Sequence, residues 1–437
     1  MNENKTPPIY PRDFLWGAAT SAYQIEGGIE NDWRDWELSY RKNGQALQRC
    51  GKATGHWQRY EEDFALLAGL GCNAYRLSIE WSRICPRMGR FDDRAMMRYI
   101  DMIAALRRLG ITPMVTLHHF THPAWFHAAG SWQEPHALQH FLRYVDYVLT
   151  HLGKLVDWWV TINEPVVLVL GGYFAGMMPP GLQQPEIGVR VIGNMIEAHN
   201  ECYHRIHQTN AAARVGIAHN MMAFAPLRVV HPIDLIVTHL AESFYNWALV
   251  EAIERGLLEA RLPSGAFRRE FSEKGNIDFW GINYYTRAHM QFDPESSSRM
   301  KHVYLNAAGL GTSDLGWEIF PEGMTTILRR MANFGRPLVI TENGIADADD
   351  SRRTFYLREH ISRIDGLVQE GAPLAGYFHW SLLDNFEWLE GFAPRFGLFE
   401  VDYKTFARRR RPSGDLYTHL IAERTAAHRQ KPAENFT

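Results

Sequence analysis

Apolar residues return along this chain in two alternating rhythms. Short apolar runs rich in β-branched and aromatic side chains are separated by longer stretches in which apolar residues recur every three or four positions. The short runs predict strands, the longer ones amphipathic helices, and their alternation predicts a parallel sheet with crossover helices. Eight strand candidates stand out: Phe14–Ser21, Ala74–Trp81, Pro113–Phe120, Trp158–Asn163, Val215–Asn220, Phe279–Tyr285, Leu338–Thr341 and Ala375–Leu382. Between the first two, Trp57, Tyr60, Phe64 and Leu67 share a helical face and Gly71 is placed to stop it. A second helix is predicted over Asp93–Leu109, with Met97, Ile100 and Ile103 inward and Gly110 at its end. Another begins near Arg353 and uses Phe355, Ile361, Ile364 and Val368 before Gly371. No Gly/Ser linker or change of composition divides the chain. The expected fold class is therefore α/β, a single (β/α)8 TIM barrel over residues 1–437 with loop insertions on the catalytic face and short polar tails at about 1–8 and 424–437.

The charge balance narrows the partners. With 46 Lys and Arg against 49 Asp and Glu in 437 residues, the net charge is −3, and no strong field invites nucleic acid or an acidic membrane. The run Arg408 to Arg411 lacks interleaved aromatics and is expected to be solvated surface rather than a nucleic-acid patch. Aromatic content is 13%, with 14 Trp, enough for a large core or for flat faces that stack on sugar rings. Cys50, Cys72, Cys85 and Cys202 are too few and too scattered for a disulfide framework or a paired-cysteine metal knuckle, and are expected as buried reduced thiols. Met1 to Pro8 is polar and lacks the apolar run of a signal peptide, which points to the cytoplasm. The longest uncharged apolar run, Val166 to Met178, is broken by glycine and shorter than the roughly 20 residues of a spanning helix.

A (β/α)8 barrel places its reacting groups at the C-terminal ends of its strands, so those ends carry the chemistry to inspect. Pro337-Leu338-Val339-Ile340-Thr341-Glu342-Asn343-Gly344 runs apolar and then delivers a carboxylate and an amide. Trp158-Trp159-Val160-Thr161-Ile162-Asn163-Glu164-Pro165 is built the same way, with Pro165 suited to open a helix. Paired carboxylates facing each other across a barrel mouth are what glycoside hydrolysis requires, one to protonate the leaving oxygen and one to attack the anomeric carbon. Arg76 shares a strand face with Ser78 and Glu80, and a buried Arg needs a carboxylate partner; a catalytic one would serve. Gln24 falls just past the first strand, where its amide suits adjacent hydroxyls or a turn equally. His118, His119 and His122 tempt toward zinc, but neighbouring histidines on a strand point to opposite faces and no carboxylate or Cys set accompanies them. A single inward His119 bonding substrate is the better reading, and no metal or cofactor is expected.

These motifs together carry a resemblance. Phe-Leu-Trp-Gly-Ala-Ala-Thr-Ser-Ala-Tyr-Gln-Ile-Glu-Gly, Tyr-Arg-Leu-Ser-Ile-Glu-Trp-Ser-Arg, Thr-Ile-Asn-Glu-Pro, Gly-Ile-Asn-Tyr-Tyr-Thr, Ile-Thr-Glu-Asn-Gly and His-Trp-Ser-Leu-Leu-Asp-Asn-Phe-Glu-Trp occur in that order. From Phe14 to about Tyr417 the chain resembles glycoside hydrolase family one, the β-glucosidase family. The resemblance implies that Glu164 is the acid/base and Glu342 the nucleophile, with Arg76 and Tyr285 holding the nucleophile ionised at low pKa. It further implies that Gln24, His119, Asn163, Glu387 and Trp388 grip the glycone hydroxyls and that Trp380 floors that sugar; Asn283 falls in the matching strand end. Trp317 resembles the family's aglycone platform, with a core Trp as the alternative.

There are departures. After His119 the family usually has Trp-Asp-Leu-Pro where this chain has Phe120-Thr121-His122-Pro123, and Trp33 to Gly55 fits the pattern poorly. The connection from Arg287 to Gly316 shows no clear element and is expected as a functional loop. In the phospho-specific members the loop after strand eight resembles Ser-Trp followed by Lys-Arg-Tyr-Gly; here those positions are Glu387-Trp388 and Pro394-Arg395-Phe396-Gly397. The expected activity is that of a retaining exo-β-glycosidase acting on terminal β-linked glucose, or galactose or fucose, with the carboxyls about 5 Å apart. A 6-phospho-β-glycosidase is the enzymic alternative and a non-catalytic sugar-binding protein the other. The expected partner is a small carbohydrate, with self-association left open.

Overall fold

The computed structural model describes residues 8–262, 264–296 and 299–426. Eight parallel strands close into a barrel: β1 Leu15–Ala19, β2 Ala74–Ser78, β3 Thr112–His118, β4 Trp158–Asn163, β5 Arg214–Asn220, β6 Phe279–Tyr284, β7 Leu338–Asn343 and β8 Leu374–Trp380. Each strand bonds its sequence neighbours, and β1 closes the ring by pairing with both β2 and β8. Each is followed by a crossover helix: α1 His56–Gly69, α2 Asp93–Arg108, α3 Ala137–Leu152, α4 Pro185–Thr209, α5 Ala248–Arg255, α6 Pro321–Ala332, α7 Arg353–Gln369 and α8 Pro412–Ala426. All eight expected strands are present; Trp158–Asn163 matches at both ends and no strand end shifts by more than three residues.

Period-two alternation on the strands divides the apolar residues into two cores. Leu15, Ala74, Met114, Val160, Ala218, Phe279, Val339 and Phe378 fill the barrel interior, while the opposite strand faces pack against the helices. The helix faces match the expected periodicity with two exceptions. In α2 the buried stripe is Met96, Tyr99, Met102, Ile103 and Leu106, so Met97 lies one position off it and is 58% exposed. In α7 Tyr356, Leu357, His360, Ile361 and Ile364 are buried, and Phe355 is likewise off the stripe and exposed. Gly71, Gly110 and Gly371 do end their helices in the left-handed conformation.

Other expectations need correction. The connection after β6 is not structureless: Arg287–Phe292 pairs antiparallel with Met300–Val303 and parallel with Ala223–Pro226. Its signal was a period-two pattern in which Ala288, Met290 and Phe292 alternate with Arg287, His289 and Gln291. The Arg408–Arg411 run is not uniformly solvated. Arg408–Arg410 forms a strand against Phe399–Val401, and alternation sends Arg408 inward to Asp63 while Arg409 stays outside. Arg411 is buried against Asp384. At the C-terminus Arg424 belongs to α8 and is buried with its guanidinium on Asp365, so the expected tail cannot start there. Residues 1–7 and 427–437 of the expected tails lie outside the described residues. The four cysteines are free and buried, as expected. Among the described residues no helix is long and apolar enough to cross a membrane.

Candidate active site

The C-terminal ends of β4, β6 and β7 depart from regular register. Shifts fall between Val160 and Asn163, between Ile282 and Asn283, and between Ile340 and Asn343. Irregularities of this kind re-aim side chains, and here they let consecutive polar residues face one another across the barrel mouth. Glu164 begins the helical turn Pro165–Val169 from a left-handed backbone, φ +48°, a conformation few residues other than glycine adopt. Its N–H donates to Ala218 O at 2.7 Å, which holds that strained turn against β5. Gly344 follows β7 because a Cβ there would sit 1.9 Å from the Trp380 carbonyl oxygen.

Arg76, 1% exposed, is the hub of the polar network. It donates to Glu342 Oε1 and to Asn163 Oδ1, both at 2.6 Å, and to Thr116 Oγ1 at 3.2 Å. Tyr285 OH donates to the other oxygen of Glu342 at 2.5 Å. Asn283 Nδ2 donates to Glu164 Oε1 at 2.7 Å and to Asn163 Oδ1 at 3.2 Å, and Thr341 Oγ1 fixes that amide by donating to Asn283 Oδ1 at 2.7 Å. Asn220 Nδ2 adds a second donor to Glu164 Oε1 at 2.9 Å.

The two carboxyls sit in different electrostatic settings. Burial, helped by the negative charge of Glu342, pushes Glu164 up to about 7. Burial also raises Glu342, while Arg76, Tyr285 and Asn283 oppose it. The expected low pKa of Glu342 is thus corrected: desolvation outweighs its partners. The order between the two still follows from their contacts, because Glu342 touches a guanidinium and a phenol whereas Glu164 receives only neutral amides. Burial, with Arg76 adding to it, pushes His119 well below its usual range, which leaves a neutral imidazole.

Aromatic side chains wall the pocket. The His119 ring lies nearly parallel to those of Trp380 and Trp388, with centroids 6.1 and 6.3 Å away, and its Nε2 is 3.3 Å from Asn163 Nδ2. Trp388 also packs on Tyr23, Trp33 and Phe120. Trp380 Nε1 donates to Glu387 Oε1 at 3.3 Å, and burial pushes Glu387 up to about 8. Gln24 lies on the turn Ala22–Glu26 with its amide donating to Asn385 Oδ1 and Phe386 O, both at 2.8 Å, so it ties the β1 end to the loop carrying Glu387. Trp317 is half-buried, 5.8 Å from the Tyr285 ring, and packs against the barrel-interior cluster. His118 and His119 lie on opposite faces of the strand: His118 packs outward on Trp132 and Phe141, while His122, past the strand end, faces Asp32 at 2.8 Å. Among the described residues no group of three or more His, Cys, Asp or Glu is arranged to hold a metal.

Eleven of the twelve expected site residues belong to this network or its aromatic wall, and Gln24 braces the loop that carries Glu387. The sequence reading passed over Asn220, although it ends the fifth strand candidate and the same strand-end rule applies to it. It also passed over Tyr245, whose hydroxyl donates to Asn220 Oδ1 at 2.8 Å from a helical segment with no motif of its own.

The family model described as glycosyl hydrolase family 1 matches residues 6–426. The chain belongs to that family. It is similar to β-glucosidase A of Thermotoga maritima, at 34% identity over 94% of this chain and 97% of that one. A β-galactosidase of Pyrococcus woesei is 31% identical over 95% of this chain and 97% of its own. Among solved structures, the β-glycosidase from Pyrococcus horikoshii superposes with a TM-score of 0.87 at 36% identity, covering 98% of this chain and 99% of that one. This family 1 member is thus a glycoside hydrolase on a (β/α)8 barrel.

Proposed function

We propose that this glycosidase removes terminal non-reducing β-linked glucose from glycosides or short oligosaccharides with retention of configuration. The observation that carries the reading is the unequal setting of two facing carboxyls, Glu342 clamped by Arg76 and Tyr285, and Glu164 bonded only to amides and pushed up to about 7. Glu342 attacks the anomeric carbon as the glycosidic C–O bond breaks, and Glu164 gives its proton to the leaving oxygen. Once Glu342 is an ester its charge is gone, and with it the repulsion that raised Glu164. Glu164 is then a stronger acid, left as a carboxylate that takes a proton from water as the water attacks and frees Glu342. Gln24, His119, Asn163, Glu387 and Trp388 are assigned to the glycone hydroxyls, Trp380 to the sugar face and Trp317 to the aglycone side.

The similarity to a protein named β-galactosidase keeps galactose as a second glycone. A panel of nitrophenyl β-glycosides of glucose, galactose, fucose and mannose decides between them: the glucoside should have the highest kcat/KM, and a silent panel would leave only sugar binding. The four buried free thiols support action in a reducing compartment, the cytoplasm, and the one barrel from β1 to β8 supports a single domain.

A further inference from the structure

Asn220 ends β5 and Tyr245 lies in the π-helical segment Ser243–Trp247 that precedes α5. A π turn carries one extra residue and turns the following side chains away from the regular helical face. Here it is stitched to the end of β5 on both sides of Asn220. Asn246 O accepts from His219 Nε2 at 3.0 Å, its Oδ1 accepts from Met222 N at 3.0 Å, and its Nδ2 donates to Met222 O at 2.8 Å. The stitching brings the Tyr245 hydroxyl within 2.8 Å of Asn220 Oδ1.

That contact bears on an ambiguity built into an amide. Asn can present either Oδ1 or Nδ2 to a neighbour, and the two favour opposite protonation states of a carboxyl. The Tyr245 hydroxyl donates to Oδ1, which leaves Nδ2 as the amide atom turned toward Glu164, where it meets Oε1 at 2.9 Å. Asn283 Nδ2 meets the same oxygen at 2.7 Å. With two donors on Oε1, that oxygen cannot comfortably carry a proton as well; among the described residues Oε2 receives no hydrogen bond.

We propose that Tyr245 and Asn220 are positioning residues for the acid/base: the Tyr245 hydroxyl locks the Asn220 amide so that Glu164 carries its transferable proton on Oε2, aimed at the leaving oxygen. The inference rests on the glycosidase reading given above for Glu164. The charged and titratable groups around Glu164 are Glu342 from β7, Arg76 from β2, Tyr285 beyond β6 and Tyr245 itself, and Tyr304 acts electrostatically on Tyr245. None of them bonds the Asn220 amide except Tyr245.

The test compares Tyr245→Phe and Asn220→Ala with wild type on two β-glucosides, one with a dinitrophenolate leaving group that needs no protonation and one with an alkoxide that does. Losing one oriented hydrogen bond should lower kcat/KM for the alkyl glucoside roughly tenfold while leaving the dinitrophenyl value near wild type. Nδ2 donates to the ionised carboxylate, so freeing it should move the alkaline limb of the kcat/KM profile to higher pH in both variants. Equal losses on both substrates, or an unmoved limb, would overturn the positioning role. Glu164→Ala keeps the two readings apart. If it shows no selective loss on the alkyl glucoside, the assignment of Glu164 itself fails; if it does and Tyr245→Phe does not, only the present inference fails.

Discussion

Arg76 and Glu342 lie 266 residues apart in the chain and meet at 2.6 Å inside the barrel, where both are almost fully buried. Neither charge could stay there alone, since an unpaired buried ion costs several kcal/mol. The pair therefore ties the state of the nucleophile to the fold itself. Arg76→Met should leave Glu342 without its cation. Its carboxyl, already raised by burial, would bind its proton more tightly still, so the acid limb of the pH profile should move to higher pH. Turnover should fall by roughly two orders of magnitude or more. A rate profile with an unmoved acid limb would mean that Arg76 only fills space.

The coupling between the carboxyls has its own readout. Glu164 sits at about 7 because of burial first and the Glu342 charge second. Protonated Glu164 is the acid, so kcat/KM for substrates that need protonation should fall as pH rises through about 7. Glu342→Gln removes the charge but keeps the shape, and the Glu164 pKa should drop. Carbon-13 NMR of labelled glutamate carboxyls follows this titration directly; a Glu164 pKa unchanged in Glu342→Gln would show the two groups to be independent.

Strand existence was legible in the chain, but the side on which some residues fall was not. β7 was recognised by Leu338 to Ile340, yet strict alternation would send Thr341 and Glu342 to opposite faces, and the structure uses both inward. The register shift that allows this depends on how β6 and β8 pair with β7, information no local pattern contains. Asn163 and Glu164 repeat the case on β4. Recognition of the Asn-Glu and Glu-Asn motifs worked because they are contiguous. Asn220 was within reach of the strand-end rule, but Tyr245 was not, because its meaning lies in a contact with a residue 25 positions away. The arginine run failed for a different reason: composition describes the average of four side chains, while each pairs with its own partner.

Those arginines make a stability prediction. Arg411 holds Asp384 through two bonds, 2.7 and 3.0 Å, and Asp384 is fully buried in the loop just past β8. Arg411→Met removes two of the bonds to that carboxylate but leaves it Arg395 and the Gly397 N–H, and should destabilise the protein by about 1.5–3 kcal/mol in urea unfolding. Arg409, with 80% of its side chain exposed, pairs with Glu400 at the surface, and Arg409→Ala should leave the unfolding midpoint where it is. Equal effects of the two substitutions would contradict the alternation seen along Arg408–Arg410.

A phosphorylated glycone would meet an unreceptive pocket. Glu387 offers a carboxyl where a cation would be needed, and Arg395 is already committed to Asp384 Oδ2 and Val401 O, both at 3.1 Å, with its guanidinium over the Tyr403 ring. A dianion brought beside Glu387 and the committed Arg395 faces desolvation without recompense from either. Unphosphorylated nitrophenyl β-glucoside should therefore react much faster than its 6-phosphate in a direct kinetic comparison; the reverse order would move this chain to phosphorylated sugars.

The assignment of Glu342 has the most demanding test, because it predicts the stereochemistry of two rescued variants as well as a loss of rate. Glu342→Gly removes the attacking carboxylate and, with no other base to replace the covalent step, should lower turnover by several orders of magnitude. It also opens a space on the face that Arg76 and Tyr285 surround, large enough for a small anion. Azide or formate entering there should attack an activated β-glucoside from that face and give an α-configured product. In Glu164→Ala the covalent intermediate still forms from an activated substrate, but no base remains to deprotonate water. Azide, which needs no base, should then react from the other face and give the β-azide. The anomeric proton in NMR distinguishes the two products by its coupling constant, and in wild type it should report the β-sugar as the first product of hydrolysis. Release of the α-sugar first by wild type, or substantial unassisted activity in Glu342→Gly, would remove both the retaining mechanism and Glu342 as its nucleophile.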